Sequence, residues 1–132
     1  MMFNLFKKKK KESSRLVGLD IALKVSGFVT GKEHLHYGLW DKLDVNLDNL
    51  GKAQEAYTDL LFKYLPKKKK KLDILDIGGG AGENAKKLIA LGHKVTIIVP
   101  SKILAEHAKK NTNNKAKILI TTFEDYLPKN SL

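Results

Sequence analysis

An aspartate followed by closely spaced glycines is the most chemically informative stretch of the sequence. Asp76-Ile77-Gly78-Gly79-Gly80-Ala81-Gly82 follows a short apolar run (Leu72, Ile74, Leu75, Ile77) and precedes a helical pattern from Ala85 to Leu91. The spacing puts an acid at the carboxyl end of a strand, then glycines at every second position, then a helix. Ligands of open parallel sheets bind at that end, where the first turn must let a ligand approach backbone. Glycine permits the unusual dihedrals of such a turn and removes the side chains that would block it. The structural alternative is that Asp76 caps the turn.

Several ligands use such turns. A P-loop needs Gly-Lys-Ser/Thr at the helix start, and here Glu83-Asn84 follows Gly82, which excludes it. A dinucleotide site wants G-x-G-x-x-G and a bare helix N-terminus for the pyrophosphate. Here the third glycine comes one residue early, Glu83 would repel a diphosphate, and the second strand ends Ile97-Ile98-Val99 with no ribose-binding acid. Dinucleotide binding is weakened by all three.

The surrounding pattern supplies the elements that would hold this turn. Ser13 or Ser14 can cap a first helix with Leu16, Leu19 and Leu23 at helical spacing and Val17, Ile21 and Val25 beside them, ending near Ser26-Gly27. A looser segment, Gly31 to Asp41, holds two of the four histidines and the one tryptophan. Asp48 or Asn49 can cap a second helix carrying Leu50, Ala53, Tyr57, Leu60, Leu61 and Tyr64, stopped by Pro66. After the first strand and its helix, closed by Gly92, come a strand at Val95–Val99, a helix capped by Ser101 and a strand at Lys117–Thr121. Strand, helix, strand, helix, strand with tight connections predicts α/β architecture, a parallel sheet with crossover helices. Tyr57 and Tyr64 read as core, and Trp40 as either helix packing or pocket wall. The histidines lack metal-ligand spacing, so no metal is expected.

Composition bounds the function classes. The chain has 132 residues, 42% hydrophobic, and no cysteine, which excludes disulfides, thiolate metal sites and cysteine nucleophiles. No apolar run approaches the roughly 18 residues needed to span a bilayer. The order Met1-Met2-Phe3-Asn4-Leu5-Phe6 before lysines is wrong for a secretory signal, so a cytoplasmic location is expected. The net charge of +11 is concentrated in two runs, Lys7–Lys11 and Lys67–Lys71; without them 15 basic residues face 14 acidic ones. Arg15 is the single arginine. Nucleic-acid readers lean on arginine forks and interleaved aromatics, so nucleic acid is argued against. The runs read as tether and linker, with weak contact to an anionic membrane surface through Lys7–Lys11 and the apolar tip Phe3, Leu5, Phe6.

The D-x-G-x-G-x-G pattern at a strand end resembles motif I of the class I S-adenosylmethionine-dependent methyltransferases. His36-Tyr37-Gly38-Leu39-Trp40-Asp41 is similar to the H-Y-G-x-W-[DE] stretch of the cyclopropane-fatty-acid-synthase-like and small-molecule branch. Val95-Thr96 and Ser101 echo that branch's second strand and following helix start. The resemblance covers about residues 31 to 127. It implies S-adenosylmethionine as cofactor, held at Asp76, Gly78, Gly79, Gly80 and Gly82, with Tyr37 over it and Asp125, or Glu124 one residue away, at the adenine. It implies methyl transfer to a small-molecule or lipid acceptor, with no catalytic residue identified.

The charge runs and the resemblance together divide the chain into a basic flexible tail (1–12), a helical lid and acceptor segment (13–66), a lysine linker (67–71) and a partial Rossmann-like cofactor-binding domain (72–132). Two positions depart from the pattern: Val99 stands where a ribose-binding acid or threonine is usual, and Leu104 where the branch has glutamine. The family's seven-stranded sheet, ordered 3-2-1-4-5-7-6, would have its fourth strand beside the first, and only three strands are legible here. The expectation is the N-terminal part of a longer enzyme or a truncated, non-catalytic binding module, with self-association through the open edge of the sheet.

Overall fold

The computed structural model describes residues 14–66 and 71–127. The expected basic tail, and all of the lysine linker except Lys71, lie outside the described residues. Eight elements follow in order: α1 (Ser14–Thr30), α2 (Leu47–Phe62), β1 (Asp73–Ile77), α3 (Glu83–Ala90), β2 (Lys94–Ile98), α4 (Lys102–Asn111), β3 (Lys117–Leu119) and α5 (Phe123–Tyr126).

Side-chain alternation decides which face of the sheet is covered. Val95, Ile97 and Val99 are buried against Ala85 and Leu88 of α3 and Ala105 and Ala108 of α4, with Ile74 and Ile118 packed beside them. The sheet is parallel in the order β1-β2-β3, with Asp76 opposite Ile97 and Ile97 opposite Ile118. Leu75 and Ile77, on the alternate positions of β1, remain exposed. Among the described residues nothing pairs with the outer edge of β1, as the three-stranded reading anticipates.

Several boundaries differ from the sequence expectation. Helix α1 runs past Ser26-Gly27 to Thr30. Its stop is Gly31, at φ 71°, whose N–H donates to Gly27 O. Ser26 stays helical because its hydroxyl leaves the helix to donate to the carbonyls of Lys32 and His34. Helix α2 starts earlier than expected because Asn46, not Asp48 or Asn49, accepts from the Asn49 N–H; Asp48 sits in the first turn, where the helix dipole favours a negative charge. The helix ends before Pro66 in a tightened turn, with Tyr64 and Leu65 N–H groups bonded to Leu61 and Phe62 carbonyls. Tyr64 is exposed rather than core, and Tyr57 borders a cleft. Strand β3 stops at Leu119, and the unanticipated short helix α5 is capped by Thr122.

Candidate functional site

The turn between β1 and α3 is built as the glycine spacing requires. Gly78, Gly80 and Gly82 take φ values of 70°, 56° and 83°, the left-handed region that favours glycine. The Gly78 N–H donates to Ile98 O, tying the turn to β2, and Gly82 N–H closes it on Gly79 O. Gly82 has a second reason: a side-chain carbon there would meet the Ala108 backbone of α4 at 3.0 Å. Gly79 does not need a left-handed dihedral. It is small because the Asp76 carboxylate occupies the adjacent space.

Asp76 lines a cleft of about 360 Å3 together with Gly78, Gly79, Gly80, Glu83 and Asn84 on one side. That volume is within the ordinary range for a small-molecule site. Asp76 Oδ2 is buried without a hydrogen-bond partner among the described residues. Burial pushes this carboxyl above its ordinary value. A buried carboxylate oxygen with no donor is costly in the free protein and is satisfied by a ligand that brings one. The alternative that Asp76 caps the turn finds no side-chain hydrogen bond to support it among the described residues.

The opposite wall is the strap between α1 and α2, which contributes Glu33, His34, Leu35 and His36, with Tyr57 and Leu61 of α2 and Ile77 of β1. The strap is fixed from both sides. On the sheet side the Glu33 N–H donates to Glu83 Oε1 at 3.1 Å, and the Glu33 carboxylate meets His107 Nδ1 at 2.9 Å and accepts from Asn111 Nδ2 at 2.7 Å. Burial would raise the Glu33 carboxyl, but the His107 and Asn111 hydrogen bonds outweigh it and hold it below its ordinary value. Asn111 also donates to Ala81 O, joining α4 to the glycine turn. On the helical side Gln54 donates to the carbonyls of His34 and His36, and Leu39 N–H to Ala53 O.

Glu55 of α2 gathers Lys32, Lys87 and His34 around one carboxylate. Its burial is outweighed by these hydrogen bonds, and its pKa is lowered to about 2. His34 is buried, its Nε2 is 3.2 Å from Glu55, and its ring packs on His36 at 4.6 Å between centroids. Burial pushes the His34 imidazole below its ordinary value. Thr58 donates to Asn84 Oδ1 at 3.0 Å, so α2 reaches the first turn of α3 directly.

The sequence-selected residues divide into two groups. Asp76, Gly78, Gly79 and Gly80 meet in the cleft, with Gly82 beneath the turn. Tyr37 is 92% exposed and does not line the cleft. Asp125, on α5, is exposed and its carboxylate engages the Thr122 hydroxyl at 2.9 Å; neither it nor Glu124 lines the cleft. Val99 is buried on the α3–α4 side and does not line it either. Glu33, His34, Glu55, Thr58 and Asn111 were not selected from sequence. Their partners lie far along the chain, and the one local signal was the two-residue spacing of His34 and His36, which puts both on one side of an extended strap.

No family model matches the sequence, and no curated protein matches it. Solved structures do match the fold. Geranyl diphosphate methyltransferase, described in complex with GPP and sinefungin and also with SAM, superposes with a TM-score of 0.63 at 19% identity over 76% of this chain and 44% of its own. A cyclopropane synthase from Mycobacterium tuberculosis superposes at 0.56 with 26% identity, over 70% of this chain and 33% of its own. The fold is the N-terminal part of a methyltransferase fold. The [4+2]-cyclase SpnF also matches, at 0.59 and 20% identity, over 83% of this chain and 43% of its own. The same architecture therefore carries more than one chemistry, and the reaction must be argued from the site. The chain spans less than half the length of each of these neighbours.

Proposed function

We propose that the β1–α3 cleft binds S-adenosylmethionine, and that the chain supplies the cofactor-binding part of a methyltransferase acting on a small-molecule or lipid acceptor. The observation that carries this reading is the buried Asp76 Oδ2 beside the glycine turn, without a hydrogen-bond partner among the described residues. A cofactor with a cationic amino-acid end and no phosphate suits an acid there and tolerates Glu83, which a diphosphate would not. Asp76 would hold the cationic end, and the backbone of Gly78 to Gly80 would lie against the ligand. Bound there, the cofactor supplies a methyl group already activated on a sulfonium, so no triad or paired carboxylates are needed; holding the acceptor in line with that methyl supplies much of the catalysis. The strap residues Glu33 and His34 fix the opposite wall, and Leu35, Tyr57, Leu61 and Ile77 give that wall an apolar surface suited to an acceptor with an apolar body.

Calorimetric titration of the chain with S-adenosylmethionine and S-adenosylhomocysteine tests the reading. Saturable binding that Asp76→Ala abolishes is expected; a folded chain that binds neither overturns it. The second reading, a non-catalytic association module, is favoured by the open β1 edge and the 52% exposure of Ile77. It predicts concentration-dependent sedimentation that Ile77→Lys suppresses, with no cofactor binding.

A further inference from the structure

Helix α1 is apolar on the side that faces away from the protein. Its inward side is anchored by Leu23, fully buried, with Leu19, Ser26 and Thr30 half-buried around it. At 100° per residue, Val17, Ile21, Val25, Phe28 and Val29 then fall together on the outward side, with Gly18 between them and Ala22 beside them. All five large residues are exposed, Ile21 and Val25 at 55% and Phe28 at 92%. Asp20 and Lys24 pair with each other at the margin of this stripe, leaving its centre without charge. Folding does not require such a face, and contiguous apolar surface of this kind marks a binding site.

We propose that this face of α1 docks on the surface of an anionic lipid bilayer. The choice of occupant rests on charge. Two residues before the helix, Glu12 and Ser13, follow the run Lys7–Lys11, which is itself preceded by Phe3, Leu5 and Phe6. Five positive charges therefore lie three to seven residues before the helix start in the sequence, in a chain whose charge outside the two lysine runs is nearly balanced. A basic segment beside an exposed apolar helix face combines electrostatic attraction to anionic headgroups with apolar insertion. A second copy would supply a matching apolar stripe but none of the negative charge that the lysine run complements. None of the described helices is long and apolar enough to cross a membrane, and the proposal places α1 in the interface plane. Gly31 joins it directly to the strap, and the cleft lining begins at Glu33, two residues later. Docking would thus set a membrane surface close, along the chain, to the wall of the candidate acceptor site.

The inference stands apart from the cofactor reading and is tested separately, by co-sedimentation of the full chain with phosphatidylcholine vesicles made with and without phosphatidylglycerol. Binding to the phosphatidylglycerol vesicles alone is expected, weakening as salt is raised. The double variant Ile21→Ser/Phe28→Ser and the replacement of Lys7–Lys11 by glutamine should each weaken it by roughly tenfold or more. Both substituted helix positions are exposed, and circular dichroism checks that the fold survives. Amide exchange provides a second readout: residues 17–29 should gain protection when vesicles are added. Absence of vesicle binding, or binding and protection unchanged in the Ile21→Ser/Phe28→Ser variant, overturns the proposal. A dimer that this variant disperses, without vesicle binding in the wild type, overturns it in favour of a second copy.

Discussion

Gly79 and Asp76 are fitted to one another: a side-chain carbon on Gly79 would lie 2.6 Å from Asp76 Oδ2, closer than any real side-chain carbon comes to a neighbour. The same carbon would lie 2.9 Å from Ile97 Cγ2, so the aspartate cannot evade it without disturbing the core. Gly79→Ala should therefore displace the carboxylate and weaken cofactor binding at least tenfold, with a stability cost of about 1–3 kcal/mol from overpacking. Gly80→Ala makes the contrast. A carbon there meets open space, so its cost is the left-handed dihedral alone, about 1–2 kcal/mol. Thermal melts and titration with S-adenosylhomocysteine on the two variants separate the steric from the conformational role.

Asp76 should also trade stability for binding. Its folded-state pKa is raised by burial, so at neutral pH the ionised group opposes folding, and this penalty disappears as the pH falls through the raised value. Asp76→Ala removes a buried oxygen without a partner and should leave the unliganded chain as stable or more so, by about 1 kcal/mol, while abolishing binding. Binding by the wild type should weaken on acidification at a higher pH than an ordinary aspartate would give. A destabilised variant that still binds would count against a ligand role.

The sheet was legible in the sequence because its signals are local: short apolar strands of three to five residues, a serine cap at Ser101, and glycines whose spacing matches their dihedrals. The cleft floor was legible for the same reason. Its far wall was not, because Glu33 finds His107 and Asn111, and His34 finds Glu55, only after the strap has folded across two layers. The end of α1 was misplaced because Gly27 looks like a stop in sequence, whereas the helix continues to the glycine that adopts the positive φ. The HYGLWD segment folds against α2 through Leu39 and Gly38, and Tyr37 is not among the residues that line the cleft.

Glu33 holds the strap to α4, and its loss should loosen the cleft wall before it unfolds the protein. Glu33→Ala removes the charged hydrogen bonds to His107 and Asn111, leaves the half-buried Asn111 amide with only the Ala81 carbonyl, and should cost about 2 kcal/mol. Amide exchange should accelerate over residues 31–38 and remain slow in β2, whose residues form the buried core. Uniform acceleration across the sheet would show that the contact supports the whole domain instead.

Glu55 sets the acid limit of the helical layer. Its pKa is lowered from 4.5 to about 2, so the folded state holds its proton less tightly than the unfolded chain. The sign follows from linkage: the stabilisation is fully present above about pH 4.5 and is lost progressively as the pH falls toward 2. Burial works in the opposite sense, so the shift measures how strongly Lys32, Lys87 and His34 hold the carboxylate. His34 contributes a separate loss that begins at higher pH: burial lowers its folded-state pKa, so stability starts to fall as the pH drops through its ordinary value of 6.5, above the Glu55 window. Glu55→Gln should lower stability by about 2 kcal/mol at neutral pH and flatten the decline between pH 4.5 and 2. Denaturant melts across that range, compared between wild type and variant, give the measurement. Parallel curves would mean that Lys32 and Lys87 are held by solvent rather than by Glu55.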